Sequence, residues 1–311
     1  MVLDLRLPRH GMAHVELRLH AAPTRGNFPF ADITHGRWVA VRYGTARSVP
    51  VFDGEITAIE LSIVDGLPEL AILAEDSLHR LARRMVSTTF TERTADDVVR
   101  SLAEATGLQV DTTLGSPPAT HVKGAESDLA FLLRMVSGHG AALRIEQGRV
   151  RAGPEATDPQ PISIQTSTLR ELRVIADLNW QPGTVTVRGW NLAQNEVVET
   201  TAVPAAQQMQ SGAELAAQLG WGADFAVPRD FLEASTSEII ARVETTRAAE
   251  CFLHGEILAT ESQLVPGREV EVTGIDHRFA GRYRVGDCRH RFSRQDGLTV
   301  QARIARPYWH P

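Results

Sequence analysis

The sequence predicts a mainly β fold with an α+β insert, because two β-rich stretches share one skeleton of residues and a helical stretch separates them. Both stretches contain Gly-Arg, Phe-x-Gly and Asp-Gly-Leu in that order and end on Ala, at positions 36–71 and 267–302. The Phe-x-Gly motif comes four places earlier in the second stretch although the total length is the same. Hairpin loops can exchange length in this way more easily than helices. We therefore predict two related β-units, the alternative being two unrelated β-meanders that match by chance.

Alternation of apolar and polar residues predicts strands in both units. Phe52 and Ile56 share one face in the first unit, and Tyr283 and Val285 share one face in the second. The alternation slips by one residue before position 59 and again before position 288. A slip of one residue is typical of a β-bulge, so each unit is predicted to contain a bent strand.

Glycine in the shared Phe-x-Gly motif predicts a bend or a close approach of backbone. Gly54 and Gly281 hold this position, next to Phe52 and Phe279. A side chain would be excluded at such a site.

Length and composition describe an ordinary folded protein. The 311 residues leave room for two or three domains, and 43% of them are hydrophobic and 23% charged. There is no apolar run of about 18 residues and no signal peptide pattern at the N-terminus. We expect synthesis in the cytoplasm and no direct membrane insertion.

Charge and cysteine content exclude further classes. A net charge of -6 argues against a general nucleic-acid binder, which needs a basic surface. Cys251 and Cys288 could form one disulfide, but their apolar surroundings in the sequence favour two buried thiols.

The middle of the chain changes to helical periodicity. Helices are predicted over Thr94–Thr106, which Thr94 can cap, and over Ser127–Ser137. A hairpin follows, from Ala141 to Arg151, turned by Gln147-Gly148. These elements predict an α/β insert domain at 87–160 after a first β domain at 1–86.

The second half of the chain is predicted to return to strands. Leu169–Trp180 and Gly183–Trp190 read as strands, and we assign 161–200 and 256–311 to the second β domain. Residues 201–255 are predicted to be an irregular excursion followed by an accessory helix, which a Ser235/Glu238 capping box would start.

Groups that could carry chemistry are sparse. Asp276-His277 and Asp287 to His290 come closest to a metal site, but the first unit lacks equivalent ligands and packing explains Cys288 and His290. The carboxylate pairs Asp96/Asp97 and Glu126/Asp128 each fall in a first helical turn, where the helix dipole favours them. Without a nucleophile elbow or a phosphate loop, we predict no catalytic, cofactor or metal site.

The segment Arg188-Gly189-Trp190 remains open to two interpretations. A tryptophan at the end of a strand can be an interface anchor, and it can equally be a core residue.

The order of several short motifs resembles the phage late control D family. The motifs lie in Val51–Ile56, Gly107-Leu108, Ser127–Leu132, Val187–Trp190, Gly281–Val285 and Arg289–Phe292. The resemblance covers nearly the whole chain. This family includes baseplate hub proteins of contractile phage tails and VgrG proteins of type VI secretion.

The resemblance implies a homotrimeric hub with two β-barrel-like tube domains per chain. Such a hub joins a hexameric inner tube protein to a trimeric spike protein, beside other baseplate proteins, in a phage tail-like particle. Many relatives have Asp where this chain has Asn191, and the chain reaches Pro311 soon after its second unit, so we expect a separate spike protein. The candidate structural or interface residues are Phe52, Gly54, Arg188, Trp190, Phe279, Gly281, Tyr283 and His290.

Two other functions compete with the hub. A tail-associated peptidoglycan hydrolase would need a carboxylate pair in a cleft, and the chain offers only carboxylates in helix caps. A carbohydrate-binding β protein would need exposed aromatic side chains, and aromatic residues make up only 6% of the chain.

Overall fold

The computed structural model describes residues 1–20, 30, 32–44, 48, 50–166, 169–204 and 209–309. Strands make up 47% and helices 17% of the structure, which confirms the mainly β class. No sheet in the described part closes into a barrel. The expectation of two barrel-like units is wrong in this respect, because the two units share one continuous open sheet.

The strands in chain order are β1 (Val2–Leu7), β2 (His14–His20), β3 (Trp38–Val41), β4 (Phe52–Val64), β5 (Leu67–Glu75), β6 (Thr88–Arg93), β7 (Val110–Thr112), β8 (Ala119–Lys123), β9 (Ala142–Glu146), β10 (Arg149–Gly153), β11 (Ile162–Gln165), β12 (Glu171–Ala176), β13 (Pro182–Asn191), β14 (Glu196–Ala202), β15 (Ala223–Phe231), β16 (Leu253–Ala259), β17 (Glu269–Thr273), β18 (Gly281–Ser293) and β19 (Gly297–Arg306). The helices are α1 (His79–Ala82), α2 (Ala95–Glu104), α3 (Asp128–Gly138), α4 (Gly212–Gln218) and α5 (Ala234–Glu250). In the described part, no helix is both long and apolar enough to span a bilayer.

An 11-stranded main sheet contains both predicted units. Its order is β12-β16-β19-β18-β1-β2-β5-β4-β3, and β17 with β11 extends from β18. Unit 1 is β1-β2-β5-β4-β3, and unit 2 repeats the same order as β12-β16-β19-β18-β17. Side chains from both units form one hydrophobic core.

Backbone hydrogen bonds define which residues of the two units are equivalent. Gly36 N–H donates to the Ile56 carbonyl over 2.9 Å, and Gly267 N–H donates to the Val285 carbonyl over 3.1 Å. Ile56 is therefore equivalent to Val285, and Gly54 is equivalent to Tyr283. The predicted match of Gly54 with Gly281 is wrong by two residues, because the loop before β18 is longer than that match requires.

The predicted β-bulges are present in both units. The pairing of β4 with β5 shifts register between Ile56 and Ala58. The pairing of β18 with β19 shifts between Val285 and Cys288. The slip in alternation at each position is thus a real bend of a long strand.

Between β5 and β11 the chain forms helices α1–α3 and strands β6–β10, which share a second hydrophobic core. Thr94 and Ser127 cap α2 and α3 through their side-chain oxygens. The β9–β10 turn places Gln147 and Gly148 at φ 50° and 76°, as a tight hairpin turn requires. Lys123 and Asp128 form a fully buried ion pair of 2.8 Å that ties β8 to the start of α3.

The segment after β12 departs from the prediction. Strand β13 does not join the second unit but forms a separate sheet of order β14-β13-β15. Residues 201–255 are not an irregular excursion in the described part, because they contain α4, β15 and α5. This sheet buries Val187 and Val198 against Leu232 and Ala241, so it has a small core of its own.

Two local predictions are also wrong. Helix α5 starts after Glu233 without a side-chain cap, whereas the capping box lies at Ser211 and Glu214 before α4. Cys251 is exposed at the end of α5, and only Cys288 is buried.

We predict that Gly54→Val and Gly281→Val destabilise the protein far more than Asp53→Val and Ala280→Val. A Cβ atom on Gly54 would lie 2.3 Å from the Glu75 carbonyl oxygen, and Gly281 has a φ of 123°. A loss of about 3 kcal/mol or more is expected for each glycine variant. Thermal unfolding of all four variants is the measurement, and equal tolerance would contradict the prediction.

Candidate functional site

The junction between the two units is the best defined feature of the main sheet. Strand β1 of unit 1 pairs antiparallel with the second half of β18, so that Leu5 lies opposite His290 and Asp4 opposite Arg291. Arg289 Nε donates to Asp4 Oδ1 over 2.8 Å. Burial works to raise the pKa of Asp4, but hydrogen bonds and charge from Arg289 outweigh it and hold the pKa below its usual value.

His290 lies buried at this junction. Its Nε2 is 2.8 Å from the Leu264 carbonyl, which can only accept, so Nε2 carries the proton. Nδ1 then accepts from the Tyr43 hydroxyl at 2.8 Å, and the two rings stack. Burial lowers the pKa of His290, against a smaller opposing effect of the Leu264 hydrogen bond, so the neutral ring belongs to the folded state.

A network of ion pairs joins the insert to both units. Arg9 binds Glu155 and Glu250 at 2.9 and 3.0 Å. Arg284 of β18 reaches Glu250 at 3.4 Å, and Arg144 of β9 reaches Glu155 at 2.9 Å. Glu155 is almost fully buried. These five residues are distant in sequence and carry no motif, so the sequence gives no sign of the network.

Several of the predicted site residues belong to the core. Phe52 and Tyr283 are buried, and Gly54 allows the close approach of β5. The Tyr283 hydroxyl donates to the Phe279 carbonyl at 2.5 Å, and the Arg306 guanidinium lies over the Tyr283 ring. Phe279 contacts Trp309 edge to face. The contacts of Tyr283 and Phe279 hold the end of unit 2 together, whereas Phe52 and Gly54 belong to the packing of unit 1.

Arg188 and Trp190 are the two predicted residues on the surface. They project from β13 on the face opposite α5, with Trp190 beside Val197 on one side and Phe231 on the other. Trp190 is 39% exposed, which answers the open question in favour of a surface tryptophan. It borders a cleft of about 490 Å³ between this sheet and the insert.

Gly189 and Asn191 shape this segment. A Cβ on Gly189 would lie 2.6 Å from the Leu232 Cβ, so the strand needs glycine there. The Asn191 side-chain oxygen accepts the backbone N–H groups of Ala193 and Gln194. Asn191 therefore stabilises the β13–β14 turn through its side-chain oxygen. Its amide is neutral, so it cannot form the ion pair that an Asp at this position could form.

The groups considered for chemistry do not converge in the described part. No cluster of three or more His, Cys, Asp or Glu side chains there could hold a metal ion. Asp96 accepts hydrogen bonds from Thr112 and from the Leu114 and Gly115 amides, and Glu126 pairs with Arg134. Glu126 lines the cleft beside Trp190, but its predicted partner Asp128 is buried against Lys123.

Asp76 is a buried carboxyl group whose pKa is strongly shifted. Desolvation raises its pKa to about 7, although the Ala13 and Leu78 amides donate to its two oxygens and favour the ionised form. Its position at the end of β5 fixes the chain as it enters the insert.

Comparison with known proteins assigns a family and a fold. The family model described as the Alg8 N-terminal domain matches residues 31–294, so the chain belongs to that family. A search of curated proteins by sequence finds no match. The late control D group is not the family that matches, so that finer assignment stays a proposal.

Several solved structures with a similar fold are described as tail proteins. The prophage MuSo2 43 kDa tail protein from Shewanella oneidensis has a TM-score of 0.75 at 12% identity, over 98% of this chain and 94% of that one. A tail protein from Neisseria meningitidis has a TM-score of 0.69 at 13% identity, over 98% and 91%. A type VI secretion component from E. coli, described as similar to T4 phage tail proteins gp27 and gp5, has a TM-score of 0.63 at 13% identity, over 99% and 73%. At these identities the likeness establishes the fold.

We predict that His290 makes the protein sensitive to acid. Its lowered pKa means that the unfolded chain binds a proton below about pH 6.5 that the folded chain resists, so stability falls as the pH drops below that value. His290→Gln is expected to be less stable at pH 8 but to lose less on going to pH 5. Urea unfolding at both values measures this. The exposed His277→Gln is the control, and equal acid sensitivity of wild type and His290→Gln would contradict the prediction.

We also predict that the purified chain neither cleaves peptidoglycan nor carries a stoichiometric metal. The reason is that its carboxylates and histidines serve caps and packing. Assays of cell-wall digestion and elemental analysis test this. Either signal, if abolished by changing Asp97, Glu126, His277 or His290, would overturn the prediction.

Proposed function

We propose that this chain is a structural hub of a contractile tail or injection system. In this role it is a trimeric adaptor between a hexameric inner tube and a trimeric spike, and it is not an enzyme. The observation that carries the proposal is the presence of two units with the same strand order, side by side in one sheet. The fold shared with phage tail proteins supports it.

The symmetry argument follows from that repeat. A hexameric tube presents six equivalent surfaces, whereas a three-fold spike presents three. Three copies of a chain with two similar units place six similar units in a ring, and so can meet both. A ring of this kind uses heterologous contacts, in which the two flanks of a copy differ and fit each other.

The remaining parts of the chain have roles that fit this arrangement. The insert and the β14-β13-β15 sheet would lie outside the ring, with the exposed Trp190 region available to other baseplate proteins. Inner tube and spike proteins would be the obligate partners, and the protein would reside in a tail-like particle. The late control D resemblance of the motifs is consistent with this proposal.

Counting copies in particles tests the proposal. Particles purified through a tag on this chain are expected to contain three copies each, together with a tube-forming protein and a spike protein. Quantitative mass spectrometry measures the ratio. Six copies or one copy per particle, or recovery of this chain without a tube-forming or a spike protein, would contradict the adaptor role.

A further inference from the structure

The two units are equivalent strand by strand, and this equivalence extends to their first strands. Strand β1 pairs with β2, with Leu3 opposite Leu17 and Leu5 opposite Val15. Strand β12 pairs with β16 in the same way, with Leu172 opposite Ile257. Val15 pairs with Ala74 and Gly255 with Ile304, which hold the same place on β5 and β19. Strand β12 is therefore the unit 2 counterpart of β1, and Arg173 is the counterpart of Asp4.

The partners of these first strands differ. In unit 2, the half of β18 beyond its bulge pairs with β1 over Cys288 to Ser293. The same half of β4 in unit 1 pairs only with β5, so its other edge is open among the described residues. Strand β12 likewise pairs only with β16 and is the last strand of the described sheet. Among the described residues, β4 thus has an open edge of the kind that accepts a first strand, and β12 is a first strand whose outer edge is open.

Side chains at the open β4 edge are exposed where their counterparts are covered. Leu61 is 62% exposed and Ile63 is 72% exposed. Their counterparts in unit 2 are His290, which is fully buried, and Phe292, which packs against the core. Leu61 and Ile63 are therefore exposed at an edge that has no partner strand among the described residues, whereas β1 covers the equivalent edge of unit 2.

Charge also matches across the two edges. At the junction inside the chain, Asp4 binds Arg289. The counterpart of Asp4 on β12 is Arg173, and the counterpart of Arg289 on β4 is Glu60. A strand pair between these two edges would therefore bring together the same two positions with the charges exchanged. Both side chains are exposed in the single chain.

We propose that copies of this chain join head to tail through antiparallel pairing of β12 of one copy with β4 of the next. In this register Arg173 lies opposite Ser62 of the next copy and binds its Glu60, and Val174 covers its Leu61. The proposal rests on the hub function for the number of copies, but the pairing itself follows from the β1·β18 junction. The occupant of the open edge is therefore a second copy of the same chain.

Charge exchange tests the ion pair. Glu60→Arg and Arg173→Glu are each expected to lower incorporation into particles about tenfold, because like charges then face each other across the new strand pair. The double variant is expected to restore incorporation. Glu104→Arg, the same change on the exposed end of α2, is the control, and melting temperatures confirm that all variants fold. Single variants without effect, or a double variant without rescue, would overturn the ion pair.

Disulfide trapping tests the register. Ser62→Cys with Arg173→Cys, in a Cys251→Ser background, is expected to give a ladder of cross-linked copies that ends at three, since residues opposite each other lie within reach of a disulfide. Ser62→Cys with Glu171→Cys, two residues along the strand, is the matched control and is expected to give little product.

The outcomes separate this inference from the proposed function. Three copies per particle without the Ser62–Arg173 cross-link overturn the strand pairing and leave the hub standing. A ladder that runs past three supports the pairing and contradicts the trimer. A cross-link from Ser62→Cys to a different protein overturns the choice of a second copy as the occupant.

Discussion

The pairing of β1 with the bent second half of β18 is the interaction on which the rest of the structure depends. It turns two five-stranded units into one sheet, because β1 belongs to unit 1 and β18 to unit 2. The bulge in β18 makes this possible, since one long strand can then pair with β17 before the bend and with β1 after it. An ion pair between Asp4 and Arg289 stabilises this junction. A hydrogen bond between the stacked rings of Tyr43 and His290 stabilises it further.

The parts inserted into this sheet are held at the same region. Glu155 follows β10, the last strand of the insert, and Glu250 ends α5. Both bind Arg9, which lies in the loop between β1 and β2. Removing one partner of such a network would leave a charge buried without compensation, so the network fixes the arrangement of its segments. The insert and the second sheet therefore interrupt unit 2 in the sequence without interrupting its hydrogen bonds in space.

The sequence predicts those features that depend on local periodicity. The cap at Thr94, the Gln147-Gly148 turn and both bulges follow from residues a few positions apart. The predictions that failed depend on distant contacts. Strand β13 has the alternation of a main-sheet strand, but its apolar face packs on α5, about 50 residues further on. The Phe-x-Gly match failed because loop length cannot be read from similar residues alone. The sequence predicts Tyr283 and His290 as structural or interface residues without indicating their contacts. The structure shows that Tyr283 contacts Phe279 and Arg306 and that His290 contacts Tyr43.

A protein with two similar units whose open edges on β4 and β12 match each other can extend itself by its own internal contact. The β1·β18 junction then serves as a template for the contact between copies, and the same exchange of strands would run around a closed ring. The most direct measurement is the structure of the assembled particle by electron microscopy. The account predicts this chain around the central channel, with unit 1 and unit 2 alternating at six similar positions between tube and spike. A chain that lies away from the tube axis, or units that occupy unrelated positions around it, would contradict the account.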